Sequence, residues 1–401
     1  MRRGSAVPLS SLFIQLDHCL QQTRAYWQCV AFDYSEFPWC DEQLTHFLSE
    51  LSDEQVRELD ADQTRLYEVF ADFIPAVEEL SQLIPLPYSA QQRADLPFWL
   101  SNGIKGRKLL QLQDFVSHLD NGEQPVLEWC AGKGHLGRIL AHQGAQHVQS
   151  VELQANLCEQ GQHSAKQQGL NMHFRCADVL QDNTDECFTQ QQHAVALHAC
   201  GRLHQVFIQQ AIKAECDKIS LSPCCYHLFT EPTYEAMSTE GKQSTLQLTH
   251  SDMKLALQET VTAPSRVTKV RQTEVTWRLG FDALRREVTG IERYVSVPSI
   301  NKQIFSGEFA DFCQWAAEQK QVELPESCDY QHYLRLGEQR KKITDRIELV
   351  RHVFRRAIEL WLVLDRALYL QQAGYDVQLS EFCEKSLTPR NILIQANKIT
   401  N

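Results

Sequence analysis

The sequence predicts an α/β fold built on a Rossmann-like, mostly parallel sheet, and two observations predict it. From residue 125 onward short apolar runs alternate with helix-length segments, the pattern of βαβ units. A glycine-rich turn, Gly132-Lys133-Gly134-His135-Leu136-Gly137, stands between the first such run and the first such helix, where a dinucleotide-binding fold carries its phosphate or nucleoside loop.

The elements follow in order. Residues 1–95 read as a helical region, with Leu44, Phe47, Leu48 and Leu51 at helical spacing and Ser52 with Gln55 as a capping box. The proline-containing stretch from Ile84 to Pro97 reads as a linker. PVLEWCA is then a strand, HLGRILAHQG a helix, HVQSVEL a strand, and Gln154 to Gln168 a helix. MHFRCADVL, AVALHAC and KISLSPC continue as strands, with a helix from Leu203 to Ala214 before the last. Residues 231–344 break the rhythm and read as a mostly helical insertion suited to substrate recognition, with helices including Ser251 to Thr260 and Phe305 to Lys320. A long helix ending in AIELWLVLDRALYL leads to two late strands, YDVQLSEFC and RNILIQA, so 96–230 and 345–401 together form the sheet domain.

Composition narrows the class. The chain of 401 residues is 43% hydrophobic and 22% charged, as in an ordinary globular protein. No apolar run approaches the roughly 20 residues that span a bilayer, and the N-terminal MRRGSAVPLSSLFIQLD lacks a small-residue cleavage pattern. The 14 cysteines are scattered, several inside strand-like runs (Cys130, Cys176, Cys200), which fits free thiols in a reducing, cytoplasmic setting. A net charge of −12 disfavours a sequence-independent nucleic-acid binder. A local basic stretch from Arg340 to Arg356, with Lys341, Lys342, Arg346, Arg351 and Arg355, could still be an RNA-binding face or a solvated helix face. The oligomeric state is not legible.

The cofactor site rests on the glycine turn and on acids in register with it. Glycine lets the chain turn tightly and bring its backbone against a ligand. Glu152 ends the second strand, where a carboxylate accepts hydrogen bonds from ribose hydroxyls. These two features alone do not separate NAD from S-adenosylmethionine (SAM). Glu128 precedes the glycines in E-x-C-x-G-x-G, which resembles the E/D-x-G-x-G-x-G loop of class I methyltransferases. Asp178, after the third strand, stands where that family holds the adenine amino group. Cys130 departs from the pattern by replacing its first glycine, tolerable if the position needs a small side chain and not a positive φ. The resemblance implies SAM as cofactor, with Glu128, Gly132, Lys133, Gly134, Glu152, Asp178 and His198 around it. An NAD(P)-dependent oxidoreductase is the rival, but no catalytic Tyr/Lys or His/Asp pair accompanies the loop. A catalytically silent SAM-fold binding module is a second rival.

Past the fourth and fifth strands come Leu197-His198-Ala199-Cys200-Gly201 and Ser222-Pro223-Cys224-Cys225-Tyr226-His227. Ligands of open parallel sheets bind beyond these strand ends, so the two segments should converge beside the methyl donor. ALHACG followed by SPCCYH resembles the methyltransferase domain 32 and methyltransferase-like branch of class I methyltransferases, similar to tRNA 2′-O-methyltransferases with a comparable Cys-Cys-x-His element. AGKGHLG, LDRALYL and LTPRNILI fit the same branch. The resemblance spans residues 100–230 and 345–401; it implies a final antiparallel strand and makes RNA, tRNA or rRNA, a reasonable acceptor, with protein and small molecules as alternatives. His198, Tyr226 or His227 could position or deprotonate the acceptor, and Cys224 or Cys225 could attack a pyrimidine. Adjacent cysteines match poorly the spaced pairs of structural zinc sites, so no metal is expected. Lys105, Arg107 and Lys108, in NGIKGRKLLQ, could contact the cofactor carboxylate or an anionic substrate, or form a solvated loop.

Overall fold

The computed structural model describes residues 7–93, 95–120, 122–258 and 265–399. The chain forms two compact units, one of Met1–Gln21, Gln82–Val261 and Arg356–Asn401, the other of Gln22–Ser81 and Thr262–Arg355.

The first unit is built on seven strands: β1 (Val126–Trp129), β2 (Val148–Glu152), β3 (Met172–Cys176), β4 (His193–Cys200), β5 (Lys218–Cys224), β6 (Tyr375–Glu381) and β7 (Ile392–Lys398). Their order is β3-β2-β1-β4-β5-β7-β6. β1 to β5 pair in parallel, and β7 runs antiparallel to both β5 and β6, as the resemblance implied. This is a Rossmann-like, mostly parallel sheet closed by an antiparallel strand. Every residue of β1 is buried, as befits a central strand covered by helices on both faces. Helix His135–His142 buries Leu136, Ile139 and Leu140 against a core that includes Phe115, Val148, Met172, Val195 and Leu393. The strand order reverses between β1 and β4, so a crevice opens at their carboxyl ends.

The motifs LDRALYL and LTPRNILI serve this frame. Asp365 is fully buried and accepts from the Tyr234 hydroxyl (2.5 Å), the Met237 and Ser238 amides (both 2.9 Å) and the Ser238 hydroxyl (2.6 Å). Arg366 donates to His204 Nε2 at 2.7 Å, and Arg356 reaches Glu359, Glu381 and Asn391. Asp365, Arg366 and Arg356 thus all have hydrogen-bond partners, which is what lets them stay buried.

The second unit is helical. Helix Ser265–Thr289 packs along helix Tyr330–His352 through glycines; a Cβ on Gly337 would lie 2.4 Å from the Thr276 carbonyl oxygen. Trp277, Phe281, Phe309 and Phe312 form its core. The expected capping box at Ser52 and Gln55 is present.

Three sequence expectations are corrected here. The N-terminal region and the insertion are not separate: residues 22–81 and 262–355 share one unit, while helix Leu9–Gln22 joins the sheet unit, where Asp17 accepts from Trp361 Nε1 at 2.8 Å and Phe13 packs on the same ring. The helix expected from Ser251 to Thr260 is shorter, His250–Leu255, and 259–264 lie outside the described residues. The basic stretch Arg340–Arg356 is for the most part not a solvated face, although Lys342 is exposed. Arg340, Arg346, Arg351 and Arg355 are all buried. Arg340 pairs with Asp282 at 2.8 Å, Arg346 donates to the Leu48 carbonyl at 2.9 Å, Arg351 to that of Trp27 at 3.1 Å, and Arg355 to Asp60 at 3.1 Å. Lys341 pairs with Asp345.

Candidate functional site

The glycine turn joins β1 to helix His135–His142 with Gly132 at φ +59° and Gly134 at φ +66°, a left-handed conformation that glycine adopts without cost. A Cβ on Gly134 would come within 2.4 Å of Met172 and 2.5 Å of Phe174, whereas the space at Gly132 is open. Gly134 therefore packs the turn onto β3, and Gly132 presents bare backbone to the crevice. Cys130 sits at φ +55°. The position does require a positive φ, contrary to expectation, and cysteine there costs roughly 1–2 kcal/mol.

Glu152 lies where expected, at the end of β2. Its carboxylate accepts from the amides of Gly132 (2.9 Å) and Gln154 (3.0 Å), tying the second strand to the turn while leaving acceptor capacity on each oxygen. Asp178 follows β3 and accepts from the Leu180 amide at 3.0 Å. Lys133 is exposed on the turn. Glu128 is placed differently from a ligand contact. It is 3% exposed, accepts from the Ser150 hydroxyl at 2.6 Å, and lies against Gly137, where a Cβ would meet it at 2.5 Å. Burial pushes its carboxyl up to about 7. Glu128 braces the turn from below.

On the other side of the crevice, His198 takes a left-handed φ of +63°. Its Nε2 meets the Gln111 side-chain amide; if that amide donates, the ring proton falls on Nδ1. Burial, then Lys108 and Arg390, lower its pKa to about 3, too weak for a general base at neutral pH. Tyr226 is 1% exposed; its hydroxyl faces the Pro223 carbonyl and its ring lies 5.2 Å from the Arg366 guanidinium. It belongs to the core, and burial raises its pKa far above the ordinary value. His227 is half-buried with Nδ1 lacking a hydrogen-bond partner, and burial lowers its pKa. Cys224 is buried and Cys225 half-exposed. Hydrogen bonding from Cys224 lowers the Cys225 thiol to about 6 despite its partial burial.

Beside His198 a crevice of about 670 Å³ is walled by Lys105, Arg107, Lys108, Gln111, Thr388 and Arg390, among others, and its lining holds no acid. Lys105, Arg107 and Lys108 thus line one crevice. Gln111 and Arg390 were not singled out; Arg390 stands in the quoted LTPRNILI, whereas nothing local marks a buried glutamine on helix Gly106–Ser117.

Residues 107–232 match a methyltransferase domain family. That stretch, which holds β1 to β5, therefore resembles a methyltransferase domain. A 130-residue stretch is 31% identical to a glutathione S-transferase C-terminal domain-containing protein of Xenopus laevis, covering 30% of this chain and 19% of that protein. The human protein of that name is 29% identical over 126 residues, with the same coverage. The match therefore spans only about a fifth of these relatives' length. Among solved structures, Thermoplasma acidophilum 1320 is 16% identical with a TM-score of 0.26, over 31% of this chain and 65% of that one. Pyrococcus abyssi tRNA (uracil-54, C5)-methyltransferase, in complex with S-adenosyl-L-homocysteine, is 17% identical with a TM-score of 0.24, over 29% and 28%. Likenesses this slight say nothing of the acceptor.

The cofactor of such a domain is SAM, and the residues present fit it. Gly132 leaves the cradle open, Glu152 stands at the end of β2 with oxygens for a ribose, and Asp178 stands beyond β3 for the base. Glycine suits position 132 because the turn holds a positive φ there, and it leaves the space beside the backbone open.

Proposed function

We propose that this chain is a SAM-dependent methyltransferase whose acceptor is RNA, bound through the cationic crevice beside His198. The observation that carries the reading is that four cations, Lys105, Arg107, Lys108 and Arg390, line one crevice without an acid, at the carboxyl end of β4 where the acceptor must approach the donor. Phosphates provide the matching charge, and single-stranded or looped RNA can present a base or ribose while its backbone lies along the cations.

Bound SAM supplies an electrophilic methyl group; the chain's own residues supply alignment. Holding acceptor and donor in line at close range with water excluded accounts for most of the acceleration in such a transfer. Gly132 and Glu152 fix the donor side. His198, neutral and held by Gln111, offers a hydrogen bond that orients the acceptor without taking its proton. The cations set the backbone.

The test is to incubate the protein with methyl-labelled SAM and separated RNA, protein and small-molecule fractions from cells lacking the enzyme. Label should enter RNA. In the Lys105→Ala/Arg107→Ala double variant, RNA affinity should fall about tenfold and the salt slope by about two, one per lost phosphate contact, with SAM affinity unchanged. Label appearing only in protein or small molecules would refute the RNA acceptor.

A further inference from the structure

Cys200, Cys224 and Cys225 take no part in the reading above, yet the sheet brings all three to one point. Their Sγ atoms lie within 4.8 Å of one another, and those of Cys200 and Cys224 are 3.4 Å apart. The main chain is bent to achieve this. β4 shifts register between Leu197 and Cys200, an irregularity of the kind that re-aims a side chain. His198 and Cys225 sit at φ +63° and +45°, left-handed positions that cost a non-glycine residue roughly 1–2 kcal/mol each. Gly201, at φ +53°, passes so close to Leu228 that a Cβ would lie 2.0 Å from its carbonyl oxygen. Successive side chains of a regular strand point to opposite faces. The left-handed turn at Cys225, just past the end of β5, instead keeps its thiol beside that of Cys224. Thiols packed merely as small apolar groups would need none of this distortion, and strain of this kind gathers at functional sites.

We propose that Cys200, Cys224 and Cys225 form a three-thiolate site for one soft divalent cation, Zn²⁺ foremost, at the carboxyl ends of β4 and β5. Thiolate is the donor that selects such ions. A zinc–sulfur bond of about 2.3 Å in a tetrahedron sets sulfurs about 3.8 Å apart, so these three need only sub-ångström to ångström adjustments. Binding displaces the thiol protons to solvent. Three thiolates on a dication leave one net negative charge, and Lys108 and Arg390, which interact electrostatically with Cys224 and Cys225, offset it. The adjacency of Cys224 and Cys225 weighs against a site built on that pair alone; here the third ligand, Cys200, comes from the neighbouring strand. Three protein ligands leave a fourth position for water or a substrate atom, the arrangement of reactive zinc sites.

The experiment uses the reduced, chelator-treated full chain and Cd²⁺ as a spectroscopic stand-in for Zn²⁺. One equivalent should bind with thiolate-to-metal charge-transfer absorbance. Alkylation mapped by mass spectrometry should then show Cys200, Cys224 and Cys225 protected by the metal, with the exposed Cys40 alkylated as before. Serine at any one of the three should weaken Cd²⁺ binding about 100-fold or more, and Cys40→Ser should not. Equal alkylation of the three with and without metal in the unmutated protein would overturn the proposal, whatever the variants do. SAM affinity, measured in parallel, reports separately on the methyltransferase reading.

Discussion

In the helical unit Asp282 is 1% exposed and holds three arginines, Arg285 at 2.8 Å, Arg286 at 2.7 Å and Arg340 at 2.8 Å. In the sheet unit four cations line an open crevice with no carboxylate in its walls. The denser run of positive charge in the sequence is therefore the structural one, and the sparser NGIKGRK is the one available to a ligand. A guanidinium whose donors are taken by internal acids and carbonyls has fewer left for phosphate; among the crevice cations Arg390 keeps one such tie, to the Leu257 carbonyl. The buried arginines of helix Tyr330–His352 are claimed by groups as far as 308 positions away, Arg340 by the Phe32 carbonyl at 2.7 Å.

That contrast can be broken by experiment. Asp282→Ala should be the most damaging change, taking from three buried or nearly buried guanidiniums the carboxylate they share, at a loss of about 3–5 kcal/mol in urea denaturation. SAM affinity of the folded protein should stay unchanged by calorimetry. A stable Asp282→Ala protein with impaired SAM binding would reverse the assignment of roles.

Glu128 gives the next largest effect, on the sheet unit alone. It titrates near 7 in the folded domain against an ordinary 4.5. Between those values the folded protein keeps a proton that the unfolded chain has released, so this group's contribution to stability falls as pH rises from 4.5 through 7. The loss is at most about 3 kcal/mol. In Glu128→Gln that component should vanish, measured as the difference in denaturation free energy between about pH 5 and about pH 8. The buried neutral histidines titrate in the opposite sense in both proteins and cancel in the comparison. An unaltered pH profile in the variant would show that Glu128 is ionised throughout.

Glu152→Ala should be milder for the fold and decisive for the ligand, weakening SAM at least about tenfold, or about 1.4 kcal/mol. Unchanged affinity by calorimetry would remove Glu152 from the cofactor site.

How far the sequence foretold this molecule depends on the range of each interaction. The strands, the glycine turn, Glu152 and the Ser52 cap are written in neighbouring residues, and all stand where expected. Asp365 and Arg366 were visible as a motif, but their partners at Tyr234 and His204 were not. The positive φ of Cys130 escaped because residue type alone suggests a small side chain, not a backbone angle. The convergence of Cys200 with Cys224 and Cys225 was legible from the strand ends, but the closeness of the three thiols depends on a register shift in β4, which no periodicity records. Tyr226 sits in the same motif as Cys224 and Cys225, yet one step along a strand end separates a buried ring from a half-exposed thiol.

The order of the sheet also governs how this unit can be made. β7 lies between β5 and β6, although β6 precedes it in the chain. During synthesis β6 emerges with no strand beside it, and the outer edge of β5 stays bare until β7 arrives and joins both. Nascent chains halted before residue 392 should therefore display two unsatisfied strand edges, open to chaperones or to aggregation, and the sheet should close only once β7 has cleared the ribosome.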